Sequence, residues 1–482
     1  MKIRYFNKIL HKNNATFLIL AFSIILRFVN LVYRFPFSGE VGDNLLEIKD
    51  YVLSGKIPLL GPPTSHPWLF FGPYYYWIMV PVLRLFRFNP MAVSYIGAFL
   101  GVVIVFVNFV VVRRIIGVRV ALLSSLVISL SPLFILFSQD SRFYYFSVLF
   151  LYFVLYLLYL FWKDNVKTFF WLGVSFGLML SFHYSSLLLI PALIIIFYQK
   201  RKRIRAISYL KLILGLVLAN TPFLIADLKN NFSMTRQFLL WIPYRILGFL
   251  GVIDKNNFTS GTILTSVDSF IQLLGETFTS QIYYWVPVSI LVVFIVFLVI
   301  RKKIIKVSEF PWNFMLLSLI FSLIGIIIHG GAPLHYLLPV FPIPAILISV
   351  FILKYLRENI AYIGVFVLLL FLNFGFYKNI LFERRDYVSI NLNFISISIQ
   401  KNIANSIAGD AQGKSYQLAR VGPYDYFRNG YAQNYIYLLW LLGNQPEDSA
   451  GIKYTIYEDT SKIPLRNNEN IIWVDGIAIV KS

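Results

Sequence analysis

An all-α polytopic membrane protein carrying a small C-terminal α+β unit is the fold class this sequence predicts, on three observations. Hydrophobic residues make up 58% of the 482 and the mean hydropathy is +0.71, more apolar surface than a soluble chain of this length can bury. Apolar runs of about 20 residues, long enough to cross a bilayer core, recur along the chain. After residue 379 the composition changes, and Asn, Asp, Gln and Gly return to the levels of a soluble protein.

The net charge of +21 does not point to nucleic acid. The basic residues fall in short clusters between apolar runs, as cytoplasmic loops of membrane proteins do. There is no cysteine, which excludes disulfides, cysteine zinc sites and thiol nucleophiles. Met1 to Asn14 is basic and leads into an apolar run without a small-residue cleavage site, which predicts a retained first helix rather than a signal peptide.

The apolar runs predict eleven spans, at about 15–33, 92–112, 120–138, 143–162, 168–183, 184–199, 208–226, 284–300, 311–328, 334–353 and 360–378. With a cytoplasmic N-terminus, the inner segments hold 20 basic and three acidic residues, Arg113, Arg114 and the Lys200–Arg205 cluster among them. The outer loops before the tail hold about ten basic and nine acidic residues. That asymmetry fixes the expected orientation in a plasma membrane of bacterial or archaeal type. It also places Tyr74–Phe86, which is apolar but short and holds Pro81 and Arg84, as an amphipathic helix on the outer surface. A twelfth span there would invert every later loop.

Two long outer loops follow, at about 34–91 and 227–283. Residues 1–379 are then the transmembrane region. Residues 380–482 are a small outer unit with a strand near Tyr416–Val421, a helix near Tyr431–Leu442 and strands near Tyr454–Tyr457, Ile471–Val474 and Ile477–Val480. No internal repeat of the transporter kind is visible.

The first outer loop carries an acidic cluster, Glu40 and Asp43. Leu46, Tyr51 and Leu53 have helical spacing from Asp43 onward, and Gly55 stops that helix. Asp43 is therefore a helix N-cap or a carboxylate held as a general base, two readings that are compatible. Glu40 assists it, binds a divalent metal, or is a solvated surface residue. The segment from Leu60 to Tyr74 is dense in Gly and Pro, which predicts a fixed path over the acids. His66 within it is a turn residue or a polar contact.

The order of these motifs resembles the GT-C superfamily of membrane glycosyltransferases, nearest the protein O-mannosyltransferases and the lipid A aminoarabinose transferases. The resemblance rests on Asp43, then His66-Pro67 and Gly72-Pro73-Tyr74, the inner Arg113-Arg114, Ser131-Pro132 leading to Ser138–Arg142, His183-Tyr184-Ser185, and Tyr336-Leu337-Leu338-Pro339. Two departures stand out. Many relatives carry adjacent Asp-Glu in the first loop, where Glu40 and Asp43 are separated here. Many carry Arg before the late Tyr-Leu-Leu-Pro, where His335 stands here.

The resemblance implies the GT-C fold and a polyprenyl-phosphate-linked sugar as donor. It implies an inverting transfer to a hydroxyl of a protein, lipid or glycan, with Asp43 as base. No further cofactor is expected with certainty. Asp140 and Arg142 pair with each other or help build the site. Arg27, inside the first run, snorkels or binds the donor phosphate. His183, Tyr184, His335 and Tyr336 lie at outer span ends, where they would line one cavity. Arg236 and Arg245 are surface residues or phosphate contacts. The competing reading is a flippase or transporter of lipid-linked sugars, or a surface polysaccharide polymerase or ligase.

Overall fold

The computed structural model describes residues 2–139, 143–253, 260–382, 395–422, 431–463 and 470–482. Helices come first and in order: α1 (Lys2–Phe28), α2 (Leu31–Arg34), α3 (Gly39–Ser54), α4 (Tyr74–Leu85), α5 (Met91–Ile115), α6 (Val118–Leu130), α7 (Pro132–Gln139), α8 (Phe146–Trp162), α9 (Phe169–Phe182) and α10 (Ile190–Gln199). After them come α11 (Ala206–Lys229), α12 (Ser233–Phe249), α13 (Ser260–Glu276), α14 (Trp285–Arg301), α15 (Trp312–His329), α16 (Pro342–Tyr355), α17 (Glu358–Leu372) and α18 (Phe374–Phe382).

Every predicted apolar run is helical. Five helical segments are single and long and apolar enough to cross a bilayer, and three more runs are helix pairs bent by 57°, 52° and 74°. The remaining three, Asn14–Phe28, Phe169–Phe182 and Tyr184–Gln199, are shorter. The chain is a multi-pass membrane protein.

The 57° bend falls at Ser131, where Pro132 cannot continue the hydrogen-bond ladder. Freed carbonyls inside a membrane need donors. The guanidinium of Arg27 donates to Ser129 O at 3.1 Å and Ile128 O at 3.3 Å, and the Tyr377 phenol donates to Leu130 O. The 74° bend at Asn373 is closed in the same way. Its side chain donates to Phe278 O and Leu369 O, both at 2.9 Å, and accepts from Ser280 N.

Tyr74–Leu85 is a surface-length helix, as expected, with Tyr75, Tyr76, Met79 and Leu83 on its buried face. The stretch 227–283, read from sequence only as a polar and aromatic loop, holds all of α12 and α13.

The C-terminal segment adds α19 (Ile397–Ala411), β1 (Tyr416–Val421), α20 (Gln433–Leu441), β2 (Ile452–Tyr457), β3 (Asn470–Val474) and β4 (Ile477–Lys481). All four strands fall at the positions read from the sequence; α19 was not foreseen. The sheet order is β1-β2-β4-β3, with β1 and β2 parallel and the other pairings antiparallel. Arg420 and Glu458 form a buried ion pair at its edge, and the Tyr435 phenol donates to Glu458 Oε1 at 2.7 Å.

Candidate active site

Ser38, not Asp43, caps α3: its hydroxyl accepts from Val41 N. The helix therefore starts one turn earlier than the apolar spacing indicated, because Gly39, Val41 and Gly42 are all buried and add no visible periodicity. Asp43 lies in the second turn, partly exposed. Glu40, Asp43 and Glu47 are spaced i, i+3 and i+7, which puts three carboxylates on one helix face. Gly55 ends the helix in a left-handed conformation, φ 67°, as predicted.

Tyr76 on α4 faces this acidic stripe. Its phenol bonds Glu47 Oε2 and lies 3.2 Å from Asn44 Oδ1. Burial first, then the Glu47 charge, holds that phenol protonated, well above the usual tyrosine range, with Asp43 adding to the effect. Tyr75, the next residue, turns the other way. Its ring lies 5.7 Å from Phe143, and Phe143 lies 4.9 Å from Phe71. One turn of α4 thus joins the acids to a second cluster.

That cluster gathers residues from five separated segments. The Phe71 ring stacks on His183 at 5.5 Å and on Tyr184 at 5.3 Å. His183 meets His335 edge-on at 5.3 Å and Tyr336 at 5.2 Å. His335 stacks on Tyr144 at 4.8 Å, and Tyr336 lies 4.8 Å from His329. His66 stacks on Trp68 at 5.4 Å and stands edge-on to Trp241 of α12 at 5.5 Å. Four of the five histidines in the chain are brought together.

The fixed path predicted for the Gly/Pro-rich segment is a short hairpin. Gly61 N bonds Phe71 O at 2.9 Å, Phe71 N bonds Pro62 O at 3.0 Å, and Gly72 N bonds Ser181 O at 2.9 Å. The Tyr184 phenol donates to Phe70 O at 2.7 Å. These bonds seat His66 against α12. Arg245 of α12 lies over the Trp241 ring at 4.9 Å and donates to His329 O at 3.2 Å. Its half-buried guanidinium has one buried N–H, at Nε, with no acceptor among the described residues. Burial, aided by the Arg245 charge, holds the His66 imidazole below its usual value and hence neutral.

His183, Tyr184, His335 and Tyr336, expected to line one cavity, are brought together, and His66, read as a turn residue or a polar contact, joins the edge of the cluster through Trp241. Asp140 and Arg142 lie outside the described residues; their neighbours Phe143 and Tyr144 join the cluster. Arg27 does not line it. That residue is fully buried, and its bonds to Ser23 Oγ, Ser129 O and Ile128 O engage it at the broken helix. Among the described residues no three His, Asp or Glu side chains are grouped as metal ligands.

Several residues escaped the sequence reading. Glu47 was findable, being four residues after Asp43 on the same face. His329 also carried a signal, a histidine at a span end like His183. Trp241, Tyr144 and Asn44 carried none. Arg245 reads from the sequence as a surface residue or a phosphate contact.

The acidic helix α3 is thus packed between α4 on one side and α20 of the C-terminal segment on the other. Residues 65–225 match the family model described as dolichyl-phosphate-mannose-protein mannosyltransferase. The structure of ArnT from Cupriavidus metallidurans bound to undecaprenyl phosphate superposes with a TM-score of 0.64 at 12% identity, over 96% of this chain and 97% of that one. Archaeal AglB from Archaeoglobus fulgidus, in complex with an inhibitory peptide and a dolichol-phosphate, gives 0.50 at 12% identity, over 93% of this chain and 69% of that one. An uncharacterized protein of Aquifex aeolicus (strain VF5) is 26% identical over 356 residues, and the match spans 62% of that relative's length. The chain thus has the fold of ArnT, and the match to the mannosyltransferase family model is confined to residues 65–225.

Proposed function

We propose that this protein transfers a sugar from a polyprenyl-phosphate donor to an acceptor hydroxyl, with inversion at the anomeric carbon and Asp43 as general base. The observation that carries the reading is the placement of the Glu40–Asp43–Glu47 face one helix away from a histidine and aromatic cluster that holds a half-free arginine. A base and a phosphate-binding cation belong on opposite sides of a sugar undergoing in-line displacement.

The acceptor O–H gives its proton to the Asp43 carboxylate as its oxygen bonds the anomeric carbon. The bond from that carbon to the phosphate oxygen breaks, and the polyprenyl phosphate leaves with the electron pair. Arg245, through its unpartnered N–H, and the Tyr336 phenol are the groups suited to stabilise the leaving phosphate. Arg27, engaged at the broken helix, is not needed for this. His66 stands edge-on to the Trp241 ring that Arg245 covers, and the Arg245 charge helps hold its imidazole below the usual value.

A prenyl chain also needs an apolar path. An apolar cavity of about 820 Å³ is lined by Ile195, Phe270, Val296, Leu316, Leu323 and Leu347, from α10 and α13–α16. Two of those walls, α15 and α16, are the helices whose ends or approaches carry His329, His335 and Tyr336. The basic turns support an orientation with the N-terminus in the cytoplasm and the acids outside. In that reading residues 380–482 form an outer unit beside the acceptor side, and the acceptor is a protein, lipid or glycan.

The test supplies a radiolabelled polyprenyl-phosphate sugar fraction from native membranes to purified protein and to Asp43→Asn. Loss of the base lowers transfer by about 10²–10⁴-fold. Equal transfer by both forms sinks the assignment, and movement of labelled lipid between leaflets without transfer establishes a flippase instead.

A further inference from the structure

The acidic helix is gripped from its other side by the C-terminal segment. The carbonyl of Phe37, two residues before Gly39, accepts from Gln400 Nε2 at 2.8 Å and from Asn434 Nδ2 at 3.2 Å. Asn434 Nδ2 also donates to Gln400 Oε1 at 2.8 Å, and Gln400 Nε2 donates to Ile395 O at 2.8 Å. Both amides are buried, 2% and 1% exposed. They are therefore a fixed pair rather than a surface contact.

The contact continues along α3. A Cβ at Gly42 would stand 2.3 Å from Asn434 N, and one at Gly39 would stand 2.3 Å from the Tyr431 ring, so the two glycines let α20 lie directly on the α3 backbone. Lys49 Nζ sits over the Trp440 ring at 5.1 Å. Gly39, Gly42 and Lys49 share one face, turned about 100° from the face of Glu40, Asp43 and Glu47. At the far side of α20, the Tyr437 phenol donates to Phe88 O at 2.8 Å. The grip thus fixes both the rotation of α3 about its axis and its height along it.

We infer that Gln400 and Asn434 are positioning residues for Asp43. Their amides pin the Phe37 carbonyl and so set the rotation at which α3 presents its carboxylates. The inference rests on the reading of Asp43 as base. It makes the C-terminal unit part of the catalytic frame rather than only a platform for acceptor. Positioning errors of about 1 Å cost of the order of 10²-fold in rate without abolishing donor binding.

Gln400→Glu tests this, since it keeps size and removes the donor to Phe37 O. Full-length protein in lipid nanodiscs is followed by amide hydrogen exchange over Val41–Lys49, with Val93–Val112 of α5 as reference. Transfer is measured with the tritium-labelled polyprenyl-phosphate sugar fraction of native membranes. The expected result is exchange in α3 faster by about tenfold, α5 unchanged, kcat lower by about 10–100-fold, and donor KM within threefold. Unchanged α3 exchange overturns the inference, and so does faster exchange with full kcat.

If α5 exchange rises as well, the variant has lost its fold. Asn434→Asp, which leaves the Gln400 bond to Phe37 in place, then makes the same comparison. Asp43→Asn runs alongside. Activity retained in Asp43→Asn removes the base reading itself. Activity lost there but full in Gln400→Glu removes only the positioning role.

Discussion

The phenol of Tyr76 bonds Glu47 across the space between α3 and α4, and Asn44 of the same helix turn lies 3.2 Å from the same oxygen. One hydroxyl thus holds the acid helix against the surface helix. Tyr76→Phe removes that hydroxyl and nothing else. It is expected to cost about 1 kcal/mol of stability and to lower kcat by about tenfold, because Asp43 sits on the face this bond orients. Thermal unfolding and saturating-donor turnover check it. Unchanged turnover shows that α4 does not set the acids.

Gly42 sits where α20 crosses α3. A methyl there meets main-chain atoms of Asn434 at 2.3 and 2.5 Å, and main chain cannot swing aside. Gly42→Ala is expected to destabilise by about 1–3 kcal/mol. Gly364→Ala in α17, with nothing within 4 Å, is the control and is expected to be neutral or slightly stabilising. A thermal unfolding series on the two variants separates them.

Glu276 ends α13 and is buried, with Gln272 Nε2 donating to it at 2.8 Å. Burial raises its carboxyl from 4.5 to about 7. The folded protein thus prefers the protonated form. The stability it contributes is full below pH 4.5, declines as pH rises toward 7 and is absent above that. Glu276→Gln keeps the neutral hydrogen-bonding shape. It is expected to match the parent near pH 4.5 and to exceed it by about 3 kcal/mol at pH 8. Equal melting temperatures at pH 8 refute the shift.

Arg27 satisfies the carbonyls that the Ser131–Pro132 break leaves open. Arg27→Met strands Ile128 O and Ser129 O in an apolar interior, at a cost of about 1–3 kcal/mol for each. Folded yield in membranes is expected to fall sharply, and turnover per folded molecule to stay within twofold. A raised donor KM at normal yield restores a phosphate role to this residue.

Much of the bundle was legible because bilayer-length apolar runs and loop charge are strong, local signals. The strands at Tyr416–Val421 and Ile477–Lys481 were legible as short apolar-rich runs in a segment of otherwise soluble composition. The start of α3 was not, since two glycines hide the helical period there. The bends at Ser131 and Asn373 lay inside runs that read as continuous, because apolar character says nothing of direction. The meeting of His183 and His335 was expected from their places at span ends. The grip of Gln400 and Asn434 on Phe37 had no signal: polar amides 363 and 397 residues away from their acceptor look like any surface residues of a soluble unit.

That separation has a consequence in time. Ribosomes deliver Glu40 and Asp43 among the first residues of the chain, and Asn434 among the last. The acids therefore enter the bilayer surface early, on a helix whose resting place does not yet exist. The bonds from Gln400 and Asn434 to the Phe37 carbonyl form only once those late residues have been made. On the positioning role proposed above, a chain that stalls before residue 434 inserts its spans without the contact that orients Asp43.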